Sequence, residues 1–301
     1  MLSRDDLSFY GEAGRISSEV RDYIKRLVKK DTPIIKICET AEKMIIKKGG
    51  RPAFPCNVCV NEVAAHYSSP RKDRRTVPKG SLVKVDVGVH VNGYIADTAT
   101  TISLDPKYNA MIFAVEEALT EAIEAIRPGI RVSEVGRVIE KTVEKYGYKP
   151  IENLSGHQVG RYVLHAGKSI PNVSNIGIFG RSEIKEGEVY AVEPFLTSHD
   201  GSGEVRGSSE AYIHRFQKQR SVKSPQAKRL LKRIKNNYRS LPFSQRWFSG
   251  FSEEELNSAF QELFSRRCLA SYPSLIEKKG TPVAQAEHTV IVTKDGCYKI
   301  T

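Results

Sequence analysis

An α/β (α+β) fold built on antiparallel strands, with a helical segment inserted late in the chain, is what this sequence predicts. Three observations carry the prediction. Pairs of amphipathic helices recur ahead of strand-rich stretches, a strong hairpin signal sits at Asn92-Gly93, and the composition changes after residue 200. At 301 residues the chain can bury a large core, as one domain with an insertion or as two domains.

Residues 5–29 and 33–48 carry apolar positions three and four apart and read as amphipathic helices. The second begins at Thr32-Pro33, read as N-cap and first helical residue, where proline's missing N–H has no partner to lose. A turn-rich strand region at 51–66 precedes a hairpin over 82–103. Two further helices are expected at 108–126 and 132–146, the first ending at Pro128-Gly129, and short β-rich segments fill 151–197. Ala41-Glu-Lys-Met-Ile-Ile-Lys-Lys-Gly49 and Ile139-Glu-Lys-Thr-Val-Glu-Lys-Tyr-Gly147 agree at Glu-Lys, Lys and Gly with a constant offset of 98, and Ile34 and Ile37 shift onto Val132 and Val135. Such residues also recur by chance in helices. If the echo is real, the chain holds two copies of a helix-helix-strand unit, with a site between them.

From about 200 to 275 a Gly/Ser-rich loop leads into a basic helix around Ala227-Lys-Arg-Leu-Leu-Lys-Arg-Ile-Lys and a second helix from Glu253, with Ser252 as its N-cap. We read 200–275 as a helical insertion subdomain in a catalytic domain formed by 1–199 and 276–301. The chain then returns to a strand, Thr289-Val-Ile-Val-Thr, before a turn at Lys294-Asp-Gly296. The glycines at 201–207 neither follow a strand nor open a helix at nucleotide-binding spacing, so they make no phosphate site.

Composition narrows the function. No apolar run approaches the roughly 20 residues of a membrane span, and the acidic, polar start is unlike a signal peptide. Five scattered cysteines suit a reducing compartment, so the cytoplasm is expected; Cys56-x-x-Cys59 lacks the second ligand pair of a zinc finger. The net charge of +12 attracts polyanions, and Arg215 to Arg239 holds ten Lys/Arg and no Asp or Glu. That run is either a solvated helix face or a docking surface near nucleic acid, and no recognition motif decides between them.

The hairpin carries chemistry. With Asn92-Gly93 as a two-residue type I′ turn, Val91 pairs with Tyr94, Val89 with Ala96, Gly88 with Asp97, and Asp86 with Ala99. Asp86 and Asp97 then share a face as diagonal neighbours, with Cβ atoms roughly 7–8 Å apart. Two such carboxylates repel and are costly to desolvate unless a cation lies between them. On the hairpin alone, a wet face and a metal site stand equal. Three more β-like segments place competent residues: Gly156-His157 with His165-Ala-Gly-Lys, Glu193-Pro-Phe195 after an apolar run, and Gln285-Ala-Glu287-His before one.

Taken together with Phe54-Pro and Ala64-Ala-His66-Tyr, these motifs resemble, in order and over nearly the whole chain, the methionine aminopeptidases of metallopeptidase family M24. The late helical segment is similar to the type II branch in its short form without an N-terminal extension. The resemblance implies the pseudo-twofold "pita-bread" fold, whose curved antiparallel sheet cradles two divalent metal ions. It implies that Asp86 binds one metal, that Asp97 and Glu287 bridge both, and that His157 and Glu193 complete the second site. His66 and His165 would contact substrate, and Phe54, Leu164, Phe195 and Tyr272 would line a pocket for the methionine side chain.

The chemistry agrees independently. Four carboxylates and one neutral imidazole carry a formal charge of −4, which two divalent ions neutralise, and an oxygen-rich set with one His suits Co, Mn, Fe or Zn. A water shared by two such ions would be the nucleophile, with Glu193 as general base and His66 and His165 hydrogen-bonding the scissile amide or the developing oxyanion. The expected substrate is the N-terminal Met of nascent polypeptides, with a small second residue preferred as in the family. The basic insertion would allow ribosome association, and a monomer with no membrane partner is expected. Two other readings share the fold. A proline-directed peptidase would usually carry a substantial N-terminal domain, whereas this chain begins almost directly with helices. A metal-free binding protein would lack ligands that are all present here.

Overall fold

The computed structural model describes residues 2–174 and 177–301; residue 1 of the polar start and residues 175–176 of the 151–197 stretch lie outside the described residues. Helix α1 (Arg4–Leu27) opens with a capping box between Ser3 and Asp6. Helix α2 (Ile34–Lys47) has Pro33, not Thr32, as its N-cap. Thr32 is used in the preceding turn instead, its hydroxyl accepting from Lys29 N (3.3 Å) and donating to the Leu27 carbonyl (3.4 Å).

The hairpin strands are Leu82–Val91 and Tyr94–Ser103, and all four expected pairs form, including Gly88 with Asp97 and Asp86 with Ala99. Asn92 and Gly93 both take positive φ (52° and 92°), as a type I′ turn requires. Alternation along the first strand then divides its residues. Val83, Val85, Val87 and Val89 are fully buried in a core with Ile16, Val20, Ile37 and Ile45 of the two helices. Each such side chain contributes about 1.5–3 kcal/mol on burial. Asp86 and Gly88 therefore face the other side of the sheet. A one-residue slip would exchange valines for a carboxylate, so the helices that cover one face also fix the register of the other.

The second half repeats the plan. Helices α3 (Asn109–Ala125) and α4 (Val132–Lys145) pack through Val115, Leu119, Val135 and Ile139 onto Tyr190, Val192, Leu196 and Val290. The strands beneath them are Val189–Val192, Phe195–Ser198, Val283–Gln285 and His288–Val292, paired antiparallel with their neighbours. The 98-residue echo is a structural repeat. Both α2 and α4 have 14 residues, with both ends offset by 98. Ile34, Ile37, Ala41 and Ile45 are buried, as are their counterparts Val132, Val135, Ile139 and Val143. The fold is the pseudo-twofold pita-bread arrangement, with helices on the outside and the sheet's inner face open to the site. The halves meet at an isolated bridge, Ala99 with Glu287.

Helices α5 (Pro225–Tyr238) and α6 (Glu253–Ser265) are capped by Ser224 and Ser252 and enclose their own core of Leu230, Ile234, Phe243, Phe248 and Phe260. The 200–275 stretch is not only helical: Ile213–Phe216 pairs with Leu269–Tyr272, and Val205–Gly207 with Leu275–Glu277. These strands are three or four residues long, and their partners are remote in sequence, so no hairpin signal marks them. A buried ion pair ties the stretch to α2. Arg246 donates twice to Glu42 (2.6 Å each), whose carboxylate also accepts from Trp247 Nε1 (2.8 Å) and Cys56 N (3.1 Å). Among the described residues no helix is long and apolar enough to cross a membrane.

Candidate metal centre

Five strands deliver the ligand candidates to one cavity. Asp86 and Asp97 come from the hairpin, and His157 from Ser155–Val159. Glu193 lies just past Val189–Val192, and Glu287 just before His288–Val292. His157 Nε2 lies 3.4 Å from Glu193 Oε1 and 3.7 Å from Asp97 Oδ2. Ligand atoms of Asp97, His157 and Glu287, all three buried, fall within 4.8 Å of one another. Asp86 and Asp97 line this cavity together, as diagonal neighbours on one face should.

Burial drives the electrostatics. All four carboxyls are pushed up: Asp97 to about 7 by desolvation, and Asp86, Glu193 and Glu287 by desolvation reinforced by the charge of Asp97. His157 is held down to about 3 and His66 to about 4, each chiefly by burial, so both imidazoles are neutral near pH 7. Such a cluster is a poor place to leave carboxylates uncompensated. Asp86 Oδ1 and Asp97 Oδ1 are buried and find no hydrogen-bond partner among the described residues. Orphaned acceptors, raised carboxyls and a neutral imidazole are the donor set a divalent cation takes, so the residues fit the metal that the sequence implies.

His66 occupies a left-handed backbone conformation (φ 65°), strained for a residue with a Cβ, and its ring stands edge-on to Tyr272 at 5.5 Å. The ring of His165 lies 4.4 Å from that of His157. Phe54, Leu164 and Tyr272 line the same cavity. Phe54 reaches it because position 88 is glycine: a Cβ there would lie 2.1 Å from the Phe54 ring. Phe195 stands apart from the other expected pocket residues. It is buried with Ala64, Ile151 and Val283 and lines a neighbouring cavity, which shares His66, His157, His165 and Glu193 with the first.

Five wall residues escaped the sequence reading: Ala65, beside His66, and four others. Ile213 and Pro242 arrive from the 200–275 stretch, and nothing local marks them as folding back. Asn57 sits opposite Asp86 in the strand pairing. Gln285 Nε2 lies 3.4 Å from Glu193 Oε2 and 3.5 Å from Glu287 Oε2; its place two residues before a ligand on a strand was the available signal. The Cys56 and Cys59 thiols are buried in the α1–α2 core, where burial pushes Cys59 up to about 12, far from a thiolate site.

The model of metallopeptidase family M24 matches residues 9–215. The chain is 45% identical over 296 residues to a methionine aminopeptidase of Methanothermobacter thermautotrophicus, covering 97% of each chain. It is 42% identical over 303 residues to one of Saccharolobus solfataricus, covering 98% of this chain and 97% of that one. Among solved structures, a thermophilic Arx1 superposes with a TM-score of 0.88 at 21% identity, covering 100% of this chain and 91% of that one. A methionine aminopeptidase from Rickettsia prowazekii gives 0.72 at 21% identity, covering 100% and 98%.

Proposed function

This chain belongs to the methionine aminopeptidases of metallopeptidase family M24 and removes N-terminal methionine; from that premise we propose how its residues divide the work. The observation that carries the assignment is the convergence of four carboxylates and one neutral imidazole at the floor of a single cavity. Asp86 and Asp97 would hold one divalent ion, His157 and Glu193 a second, and Asp97 and Glu287 would be shared. When bound, two ions of the Co, Mn, Fe or Zn class supply an acidified water and a Lewis acid for the scissile carbonyl.

The chain's own groups do the rest. Glu193, its carboxyl raised by burial, takes a proton from water and delivers it to the leaving amine. His66, neutral near pH 7, donates to the carbonyl oxygen as it gains negative charge, and His165 supports the same oxygen or the scissile amide. Phe54, Leu164 and Tyr272, with Ile213 and Pro242, surround the methionine side chain. Phe195 acts from the adjoining cavity. A small second residue would be preferred, as in the family. Ile213, Pro242 and Tyr272 all come from the 200–275 insertion, which supports a type II assignment and makes that subdomain a wall of the active site.

The basic run divides in two. Arg229 is engaged by Glu255 (3.7 Å), and Arg233 donates to the Ser249 carbonyl (2.6 Å). Arg220, Lys228, Lys232 and Lys235 line one groove that contains no carboxylate. We assign this groove to ribosomal RNA phosphates, which would bring a monomeric cytoplasmic enzyme to emerging chains.

Turnover of Met-Ala-Ser against Ala-Pro peptides tests the activity, and cleavage of the proline peptide alone would overturn it. Anomalous scattering from metal-loaded crystals counts and identifies the ions. One ion at saturation would remove the bridging roles. Neutralising Lys228, Lys232 and Lys235 should abolish salt-sensitive ribosome binding while turnover of free peptides persists; unchanged binding would exclude the groove.

A further inference from the structure

The junction between the halves is not an ordinary strand ladder. Residues 97, 99 and 101 of the hairpin's second strand run antiparallel to 289, 287 and 285. Only the middle pair bonds directly, Ala99 N to Glu287 O (3.3 Å) and Glu287 N to Ala99 O (3.2 Å). At each flank a threonine hydroxyl stands in for the missing peptide contact. Thr289 Oγ1 accepts from Asp97 N (2.7 Å) and donates to Asp97 O (2.8 Å). Thr101 Oγ1 accepts from Gln285 N (2.9 Å) and donates to Gln285 O (2.6 Å). The arrangement is symmetric about the pseudo-twofold: each half contributes one threonine, and each threonine satisfies both backbone groups of one residue in the other half. Both side chains are buried.

The residues they grip belong to the site. Asp97 is a ligand candidate, and Gln285 holds Glu193 and Glu287 through its amide. Along this strand-to-strand junction the backbones pair directly only at Ala99 and Glu287, where Thr98 Oγ1 also donates to the Glu287 carbonyl (2.8 Å), so the flanking hydroxyls set how far the two strands stand apart on either side. We propose that Thr101 and Thr289 are positioning residues, hydroxyl spacers that set the separation between the half carrying Asp97 and the half carrying Glu287, and so the size of the site that receives the divalent ions. The inference rests on the metal assignment above.

Valine matches threonine in shape but can neither accept from the N–H nor donate to the C=O, so T289V strips two buried partners from a ligand residue's backbone. Serine keeps the hydroxyl. The full chain, stripped of metal and titrated with Mn²⁺ by calorimetry, provides a readout independent of turnover. T101V and T289V should each weaken Mn²⁺ binding by about 10–100-fold, the effect of losing a group that orients metal ligands. T101S and T289S should bind close to wild type. The control is T197V, a buried threonine outside the junction whose hydroxyl bonds the Pro282 carbonyl (2.9 Å). It should lower stability without this loss of affinity.

If the valine variants lose no more affinity than T197V, the spacer role is overturned while the metal assignment stands. Wild-type protein that takes up no Mn²⁺ would overturn both. Should one valine variant fail to fold, the other still carries the test, because each hydroxyl serves a different residue.

Discussion

The two halves share a scaffold and divide the chemistry unequally. Helices α2 and α4 have the same length, the same buried positions and a constant offset, yet the pseudo-twofold carries Asp97 onto Gln285 and Ala99 onto Glu287. The first half supplies two carboxylates from one hairpin. The second supplies His157, Glu193 and Glu287 from three separate strands. Repetition therefore accounts for the shape of the cradle and not for its contents. A symmetric site would need acids at all four of these junction positions, clustering like charges more densely in a buried space. An amide at 285 and a methyl group at 99 relieve that repulsion and leave hydrogen-bond donors for the acids that remain.

The most severe way to break the equivalence is to truncate the related pair. D97A should reduce kcat/KM by about 10³-fold or more, some 4 kcal/mol of barrier, because it removes the carboxylate proposed to be shared by both ions. Q285A, at the mate position, should cost about tenfold, since its amide only supports Glu193 and Glu287. Equal losses would show that the halves are functionally, and not only structurally, alike.

Metal removal tests the charge imbalance at smaller cost. Metal at a hundred times its dissociation constant should stabilise the protein by about 2.7 kcal/mol. The sign with pH follows from the shifts. In the metal-free protein the Asp97 carboxyl, at about 7 folded against 3.8 ordinarily, contributes stability that is complete below about pH 4 and is lost as pH rises to about 7. Asp86, Glu193 and Glu287 are raised in the same direction. His66 and His157 are lowered and act oppositely, their contribution being lost as pH falls below about 6.5. Comparing loaded with chelated protein at each pH largely removes the His66 contribution. Binding must displace carboxyl protons, so the melting-temperature gain from metal should grow between pH 5.5 and pH 8. A gain that shrinks over that range would contradict the raised carboxyls.

The unequal halves also explain what could be read from the chain. Asp86 and Asp97 were legible as a pair because a two-residue turn fixes their register locally, and the valines between them declare which face is buried. His157, Glu193 and Glu287 meet the hairpin only through long-range packing, so they were identified through their resemblance to a known family. Ile213 and Pro242 were illegible because the strands and clamp that fold their stretch back, such as Glu42 with Arg246, join residues far apart in sequence. Phe195 was expected beside the methionine pocket. Its strand packs it with Ala64, Ile151 and Val283 on the wall of the adjoining cavity that shares His66, His157, His165 and Glu193, a placement that depends on pairing with Val283–Gln285 rather than on its own motif.

The gentlest test asks whether the scaffold repeat is energetically even. Gly49 and Gly147 end the two related helices at φ +93° and +78°, and a Cβ at either position would meet nothing within 4 Å. Alanine there should therefore be penalised by the left-handed backbone alone, about 1 kcal/mol at each site. G49A and G147A should lower stability in chemical denaturation by similar amounts, and the double variant by their sum, because neither glycine lies in the site cavity. Turnover should not change. Additive, equal losses would mean that the repeat extends to the energetics of its helix ends. A clearly larger loss at one glycine would mean that the two helix ends carry different loads, and that the equivalence stops at geometry.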